Sequence, residues 1–372
     1  MFFRDIPGLQ ALKHILLQSV KQQHIAHAQL FFGREGSANL ALALAYSQYL
    51  QCEDRQAEDA CGRCAACVKM QKAIHPDFHS IFPVSSTTRV SKPKSADFMK
   101  EWRQVLAENT YLNLSDWLAT IGAEGKQAQI GAEESRNIVA TLSLKAFEGK
   151  YKILMIWLPE YMNTVAANAL LKILEEPPED TIFLLVSHQP QQMLLTILSR
   201  VQQINVPDFE DADLRSYLSE QMGLESEKAT QIAHLAEGNL RKARLLAGEV
   251  SDDNHTRFRD WMRLCYMKNY TELVKWAEDF STSPKEAQKN LLYYGLNICR
   301  EALVWQYAGE EMLRLEGNAL EFVKGFAKVL HERNAEALYH YLNLALQHLE
   351  RNANAKILFL DTSLKIAEVI KS

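Results

Sequence analysis

Four of the six cysteines, Cys52, Cys61, Cys64 and Cys67, fall within sixteen residues in the pattern C-x8-C-x2-C-x2-C. Thiolates at this spacing suit a tetrahedral zinc ion, because a C-x2-C turn delivers two sulfurs to one centre at about 2.3 Å. Four thiolates leave no position open to water, so the Zn2+ expected here is structural rather than catalytic. His75 and His79 follow closely, and either is an alternative to Cys52 as the fourth ligand. Cys265 and Cys299 stand singly in apolar helical stretches and read as core residues.

A second chemistry is suggested, then withdrawn, by residues 33–40, GREGSANL. The frame of a phosphate-binding loop, G-x-x-x-x-G-K-[ST], fits here between an apolar run and a helical pattern, with Gly33 and Gly36 inside it. Its second required glycine is Ala38, its lysine is Asn39 and its cation-binding hydroxyl is Leu40. Asn39 brings no charge to a phosphate, and Leu40 cannot ligate a cation. The strand that should end in the acids of an ATPase ends Trp157-Leu158-Pro159-Glu160, so its one carboxylate lies three residues late. The expectation is a degenerate loop that neither binds nor hydrolyses ATP.

The elements that must position these residues are legible as alternation. Short apolar runs at 29–32, 80–84, 153–157, 182–186 and 203–206 suit strands covered on both faces. Helical patterns at 37–51, 133–144, Thr164–Glu175 and 191–199 separate most of them, with Asn163 or Thr164 as a cap and Pro177-Pro178 as a stop. Strands alternating with helices predict an α/β domain with a parallel sheet, ending near Pro207. Beyond it the strand pattern vanishes. Residues 208–250 read as about three short helices broken at Gly223 and Gly238, and 251–372 as long helices. The expected domains are therefore 1–207, 208–250 and 251–372. An insertion at 85–129 interrupts the first. Its Arg89, Lys92 and Lys94 beside Trp102 suit either contact with nucleic acid or, more simply, a solvated face with aromatics packed on the domain.

Composition excludes several classes. With 372 residues, 47% apolar, only 15 Gly and 10 Pro, the chain is neither disordered nor fibrous. A net charge of −5 supplies no global field toward nucleic acid or an anionic membrane. No apolar run approaches the ~20 residues of a membrane span, and the first residues lack the pattern of a secretory signal. A cytoplasmic location is expected, where clustered cysteines point to metal rather than to disulfides.

Several segments together resemble one family. They are residues 24–33, HIAHAQLFFG; the cysteine cluster followed by His75-Pro76-Asp77; residues 166–178, AANALLKILEEPP; and Ile197-Leu198-Ser199-Arg200. These are similar to the bacterial clamp-loader subunits of the AAA+ type, specifically the delta-prime family of DNA polymerase III, and residues 351–360 resemble its C-terminal helix. Three departures stand out: the long 85–129 insertion, Val201 where the family has Cys after Ser-Arg, and Ser187-His188 at the sensor-type position.

The resemblance implies an AAA+-like α/β domain with a zinc module at 52–67, a helical lid at 208–250 and a helical collar at 251–372 that holds a ring together. It implies a ring member without intrinsic ATPase or polymerase activity, belonging to the DNA polymerase III holoenzyme by association, that helps load the sliding clamp on primed DNA. Implied partners are gamma/tau-type ATPase and delta-type subunits and, indirectly, the clamp and primer-template DNA; no membrane is implied. Arg200 matches the arginine that enters the ATP site of a neighbouring subunit, a role suited to a planar, permanently charged fork. Arg241 matches the lid arginine that reads a nucleotide bound in cis; with none expected, packing is its simpler role. Two alternatives are an active clamp-loader ATPase and a zinc-dependent nucleic-acid-binding protein outside replication. Asn39 and Trp157 speak against the first, and the mixed charge of 52–67 against the second.

Overall fold

The computed structural model describes residues 1–134, 142, 146–248, 253–309, 317–330, 332–350 and 353–370. The chain divides into two compact units, Met1–Leu214 with Glu237–Arg241, and Arg215–Ala236 with Lys242–Ser372.

The first unit is built on five parallel strands: β1 (Ala28–Phe32), β2 (Phe78–Ile81), β3 (Lys152–Trp157), β4 (Thr181–Ser187) and β5 (Gln202–Asn205). Their order is β2-β3-β4-β1-β5, with β1 paired in parallel to β4 on one side and to β5 on the other. Strands β3 and β4 are buried along their whole length, as unbroken apolar runs require. The expected parallel α/β architecture is present. Because the chain leaves β1 for β2 at the far edge and later crosses β1 to place β5 on its other side, the loop after β1 opens at a switch point of the sheet, where α/β folds hold ligands.

Helices α1 (Gln10–Lys21), α2 (Asn39–Gln51), α3 (Ala65–Gln71), α4 (Met99–Glu108) and α5 (Leu114–Thr120) also belong to this unit. The helix Thr164–Glu175 has the expected bounds; the Asn163 side chain caps it by accepting from the Ala166 amide at 2.9 Å.

Three details differ from expectation. The second strand ends at Ile81 instead of running through 80–84, because Pro83 has no N–H for a ladder and Phe82 turns into an aromatic cluster. The helix expected over 191–199 is a 3-10 turn, Pro190–Gln192, and one α-turn, Leu195–Leu198, separated by extended backbone at Met193 and Leu194. Met193 is buried there, and anchoring it interrupts the helical periodicity. The helix expected over 133–144 lies largely outside the described residues.

The second unit is helical. It holds helix Ser226–Ala236 and most of Asp211–Met222 and Leu240–Gly248, whose residues 211–214 and 240–241 belong to the first unit; Gly223 and Gly238 at positive φ separate the three. Helices Asp253–Met267, Tyr270–Thr282, Lys285–Ala308, Gly317–Ala327, Glu332–Glu350 and Ala355–Val369 follow. Their core is aromatic: Phe359 stacks between Trp261 at 4.4 Å and Phe280 at 4.3 Å. Cys265 and Cys299 are fully buried in it, and burial pushes both thiols up to about 12, so they are inert packing groups as expected.

Candidate functional site

The cysteine quartet comes together. The Sγ atoms of Cys52, Cys61, Cys64 and Cys67 all lie within 4.8 Å of one another, with Cys61 and Cys67 4.0 Å apart. A tetrahedron with Zn–S bonds of about 2.3 Å has edges of about 3.8 Å, so the donor set fits one zinc ion.

Local chemistry builds the turn. Cys64 is the N-cap of α3, and backbone amides of Cys61, Cys64 and Cys67 donate to the sulfurs of Cys52, Cys61 and Cys64 at 3.3, 3.4 and 3.4 Å. Such donors favour thiolate; although burial opposes it, the amides of Arg63 and Cys64 bring Cys61 down to about 7. Burial instead pushes Cys52 and Cys67 up, which a bound dication would reverse. Asp59 fastens the loop by accepting from the amides of Phe3 and Arg4 at 3.2 and 3.0 Å, and Arg55 donates to the last carbonyls of α2.

Neither histidine joins the quartet among the described residues. His75 Nδ1 accepts from the Asp77 amide at 3.2 Å, and His79 lies within β2. The carboxylate of Asp77 accepts from three successive amides, Phe147, Glu148 and Gly149, at 2.6–2.8 Å. That pins the entry to β3.

The loop after β1 is closed around its own residues. Asn39 and Leu40 open α2 and are 2% and 1% exposed. Asn39 Nδ2 donates to the Ser187 carbonyl at 3.1 Å. Gly36 has φ +78°, and a Cβ there would lie 1.9 Å from Asn239 Oδ1, so only glycine fits. Asn239 donates to the Glu35 carbonyl at 2.8 Å, and the Leu240 amide to the Gly36 carbonyl at 3.0 Å. Arg34 Nε donates to Asp208 at 3.0 Å.

At the strand end, Trp157 is fully buried. Glu160 Oε1 accepts from the amides of His188 and Gln189 at 3.0 and 3.1 Å, while burial pushes its carboxyl up. This carboxylate fastens the turn after β4.

Arg200 lies just past the α-turn Leu195–Leu198, with its side chain 35% exposed. Its guanidinium meets Glu175 Oε1 at 2.5 Å and the Thr196 carbonyl at 2.8 Å. Arg241 makes a two-pronged ion pair with Asp116, Nε–Oδ2 2.6 Å and Nη2–Oδ1 2.7 Å. The sequence assigns no role to Glu175, Asn113, Asp116 or Asn239. Only Asn113 and Asp116 carry a local signal, the N-x-x-D spacing of a helix cap.

The insertion is folded. Trp102 and Trp117 are fully buried: Trp102 stacks on Phe82 at 4.4 Å and meets Trp157 at 5.1 Å, while Trp117 Nε1 donates to the Pro83 carbonyl at 2.8 Å. Neither indole presents a face to a base. Lys94 pairs with Glu133 at 2.8 Å, while Arg89 and Lys92 are exposed. Among the described residues, no helix is long and apolar enough to cross a membrane.

The family described as "DNA polymerase III, delta subunit" matches residues 8–210. The chain is 34% identical over 176 residues to DNA polymerase III subunit delta' of Yersinia pestis, covering 47% of this chain and 39% of that one. It is 32% identical over 187 residues to the Pseudomonas aeruginosa subunit of the same name, covering 50% and 44%. The match thus spans less than half the length of these relatives. Among solved structures, a DNA polymerase III gamma subunit-related protein of Thermotoga maritima aligns at 16% identity and a TM-score of 0.40, covering 95% of this chain and 99% of that one. A likeness at that level carries no argument. The family match, over more than half of the sequence and containing the cysteine quartet, the loop after β1 and Arg200, is the decisive one: this chain belongs to the DNA polymerase III delta subunit family.

Proposed function

We propose that this chain is a delta-prime-like subunit of a DNA polymerase III clamp loader, a ring member that does not itself hydrolyse ATP. It helps place the sliding clamp on primed DNA beside gamma/tau-type and delta-type subunits. The observation that carries this reading is Asn39: the position that would hold a phosphate-binding lysine is a buried neutral amide, spent on the Ser187 carbonyl. A phosphate there would meet no cation, and Leu40 offers no ligand to magnesium.

Within the ring, Arg200 is the residue offered to a neighbour's ATP. Its guanidinium is partly exposed, permanently charged and held in a surface ion pair that a stronger anion can displace at small cost. Zinc on Cys52, Cys61, Cys64 and Cys67 is structural in this reading, residues 208–250 form a lid, and the helices of 251–372 form the collar.

The test is the steady-state ATPase of the reconstituted ring with clamp and primed DNA. Arginines supplied in trans are worth ~10³–10⁵ in rate at the site they serve. Arg200→Ala should assemble normally yet lower ATPase and clamp loading, and Arg200→Lys should not restore them, because an ammonium lacks the forked contact. Wild-type rates from an assembled Arg200→Ala ring would leave the subunit contributing shape alone.

A further inference from the structure

The 85–129 insertion has no part in the reading above, yet its α5 reaches the loop after β1. Three segments distant in sequence meet within the first unit: the loop itself, the start of α5, and the turn Glu237–Arg241. We infer that the insertion supplies a built-in anion, Asp116, which fills the guanidinium fork of Arg241 and with Asn113 keeps the loop after β1 closed to phosphate. This deepens the proposed function and rests on its reading of that loop as a disabled nucleotide site.

Four observations support it. First, the Arg241–Asp116 contact is bidentate at 2.6 and 2.7 Å, the geometry by which a guanidinium holds a carboxylate or a phosphate, and Arg241 is only 13% exposed. Second, Asn113 Nδ2 donates to Glu35 Oε2 at 3.1 Å, so the same turn of the insertion grips the loop. Third, the two insertion residues fix one another: Asn113 Oδ1 accepts from the Asp116 amide at 2.9 Å, and Asp116 Oδ2 from the Asn113 amide at 3.1 Å. The neighbouring Trp117, fully buried, anchors that turn in the aromatic cluster. Fourth, Asn239 and Leu240, adjacent to Arg241, bond the carbonyls of Glu35 and Gly36. An anion on this loop would therefore lie beside Arg241, whose fork already holds Asp116.

Charge gives the arrangement its logic. A glycine-bearing turn between a parallel strand and a helix points backbone amides toward an anion, and a nearby guanidinium strengthens that attraction. With the lysine position neutral, the guanidinium groups beside the loop are those of Arg34, which Asp208 holds, and Arg241. Asp116 satisfies Arg241 internally, and the Glu35 carboxylate, held by Asn113, adds repulsion toward a second anion.

The test uses the full chain and two readouts, amide hydrogen exchange and titration with inorganic tripolyphosphate. Asp116→Ala removes the carboxylate but also part of the α5 cap, so Arg241→Ala, which spares that cap, is the companion variant. In both, exchange over 33–40, 113–121 and 237–241 should quicken on the order of tenfold, while 52–67 stays unchanged. Tripolyphosphate should protect 33–40 and 237–241 in Asp116→Ala, but not in the wild type or in the Asp116→Ala, Arg241→Ala double variant. Faster exchange without that protection makes Asp116 a structural pin and overturns the inference, as does unchanged exchange in both variants. Protection of the wild type would overturn it and the disabled-loop reading together; the other failures leave that reading standing.

Discussion

Asn39 donates through its side-chain amide to the Ser187 carbonyl at 3.1 Å, joining the first turn of α2 to the end of β4. The same carbonyl accepts the Gly33 amide at 3.3 Å. The residue that departs from a phosphate loop is thus part of the scaffold. Removing it should cost stability rather than alter binding.

Asn39→Ala should lower unfolding stability by about 1–3 kcal/mol through two lost buried hydrogen bonds, one to the Ser187 carbonyl and one from the Leu40 amide. Asn39→Lys should cost more, about 3 kcal/mol or above, by placing an ammonium at a 2% exposed position, and should not create ATP binding. Urea denaturation and calorimetry with ATP check both. A stable, ATP-binding Asn39→Lys protein would mean that the loop is open.

Purified without chelator, the protein should carry close to one zinc per chain. Cys64→Ser should lose most of it, and with it the order of 52–67, because the variant lacks one of the four thiolates while its serine still caps α3. Elemental analysis measures the content. Retention of a full equivalent by the variant would remove Cys64 from the ligand set.

Asp77→Asn should cost about 1–3 kcal/mol, because an amide replaces one acceptor oxygen with a donor facing the amides of residues 147–149. Although burial acts against it, those three amides hold the Asp77 carboxyl below its ordinary value. A depressed acid contributes stability above its unfolded pKa of about 3.9 and loses it as pH falls through the folded value. The variant's deficit should therefore be constant from pH 5 to 7 and shrink below about pH 4. Burial also lowers His75 and His79, so the unfolded chain binds their protons first and stability begins to fall below about pH 6.5 in both proteins. Denaturation curves across this range separate the two effects.

Trp102→Ala should cost about 3–5 kcal/mol, as a buried aromatic stacked on Phe82 is lost from the cluster that holds the insertion. Trp102→Phe should cost far less, because the indole N–H has no hydrogen-bond partner among the described residues. Near-ultraviolet circular dichroism with denaturation would register both. Equal losses would indicate that shape, not burial, dominates there.

Much of this protein is legible in local pattern. Apolar runs mark β1, β3 and β4 because strands buried on both faces need no polar alternation, and the cap at Asn163 and the breaks at Gly223 and Gly238 mark helix ends. The cysteine quartet is readable because its ligands lie within one turn-rich stretch, where spacing alone brings sulfurs together. The loss of lysine and hydroxyl at Asn39 and Leu40 is a matter of residue type at a known offset, and needs no coordinates.

Tertiary structure decided what those residues do instead. Asp116 and Arg241 are 125 positions apart and Asn39 and Ser187 148, and no periodicity or propensity links such pairs. Their partnership follows from strand order: β4 lies beside β1, which brings Ser187 to the loop, and the chain returns at Glu237–Arg241 to meet the insertion. A long-range ion pair is specified by the whole fold and leaves only an ordinary acid and an ordinary base in the sequence. That is why the cysteine site could be read from sequence, and the closure of the neighbouring loop could not.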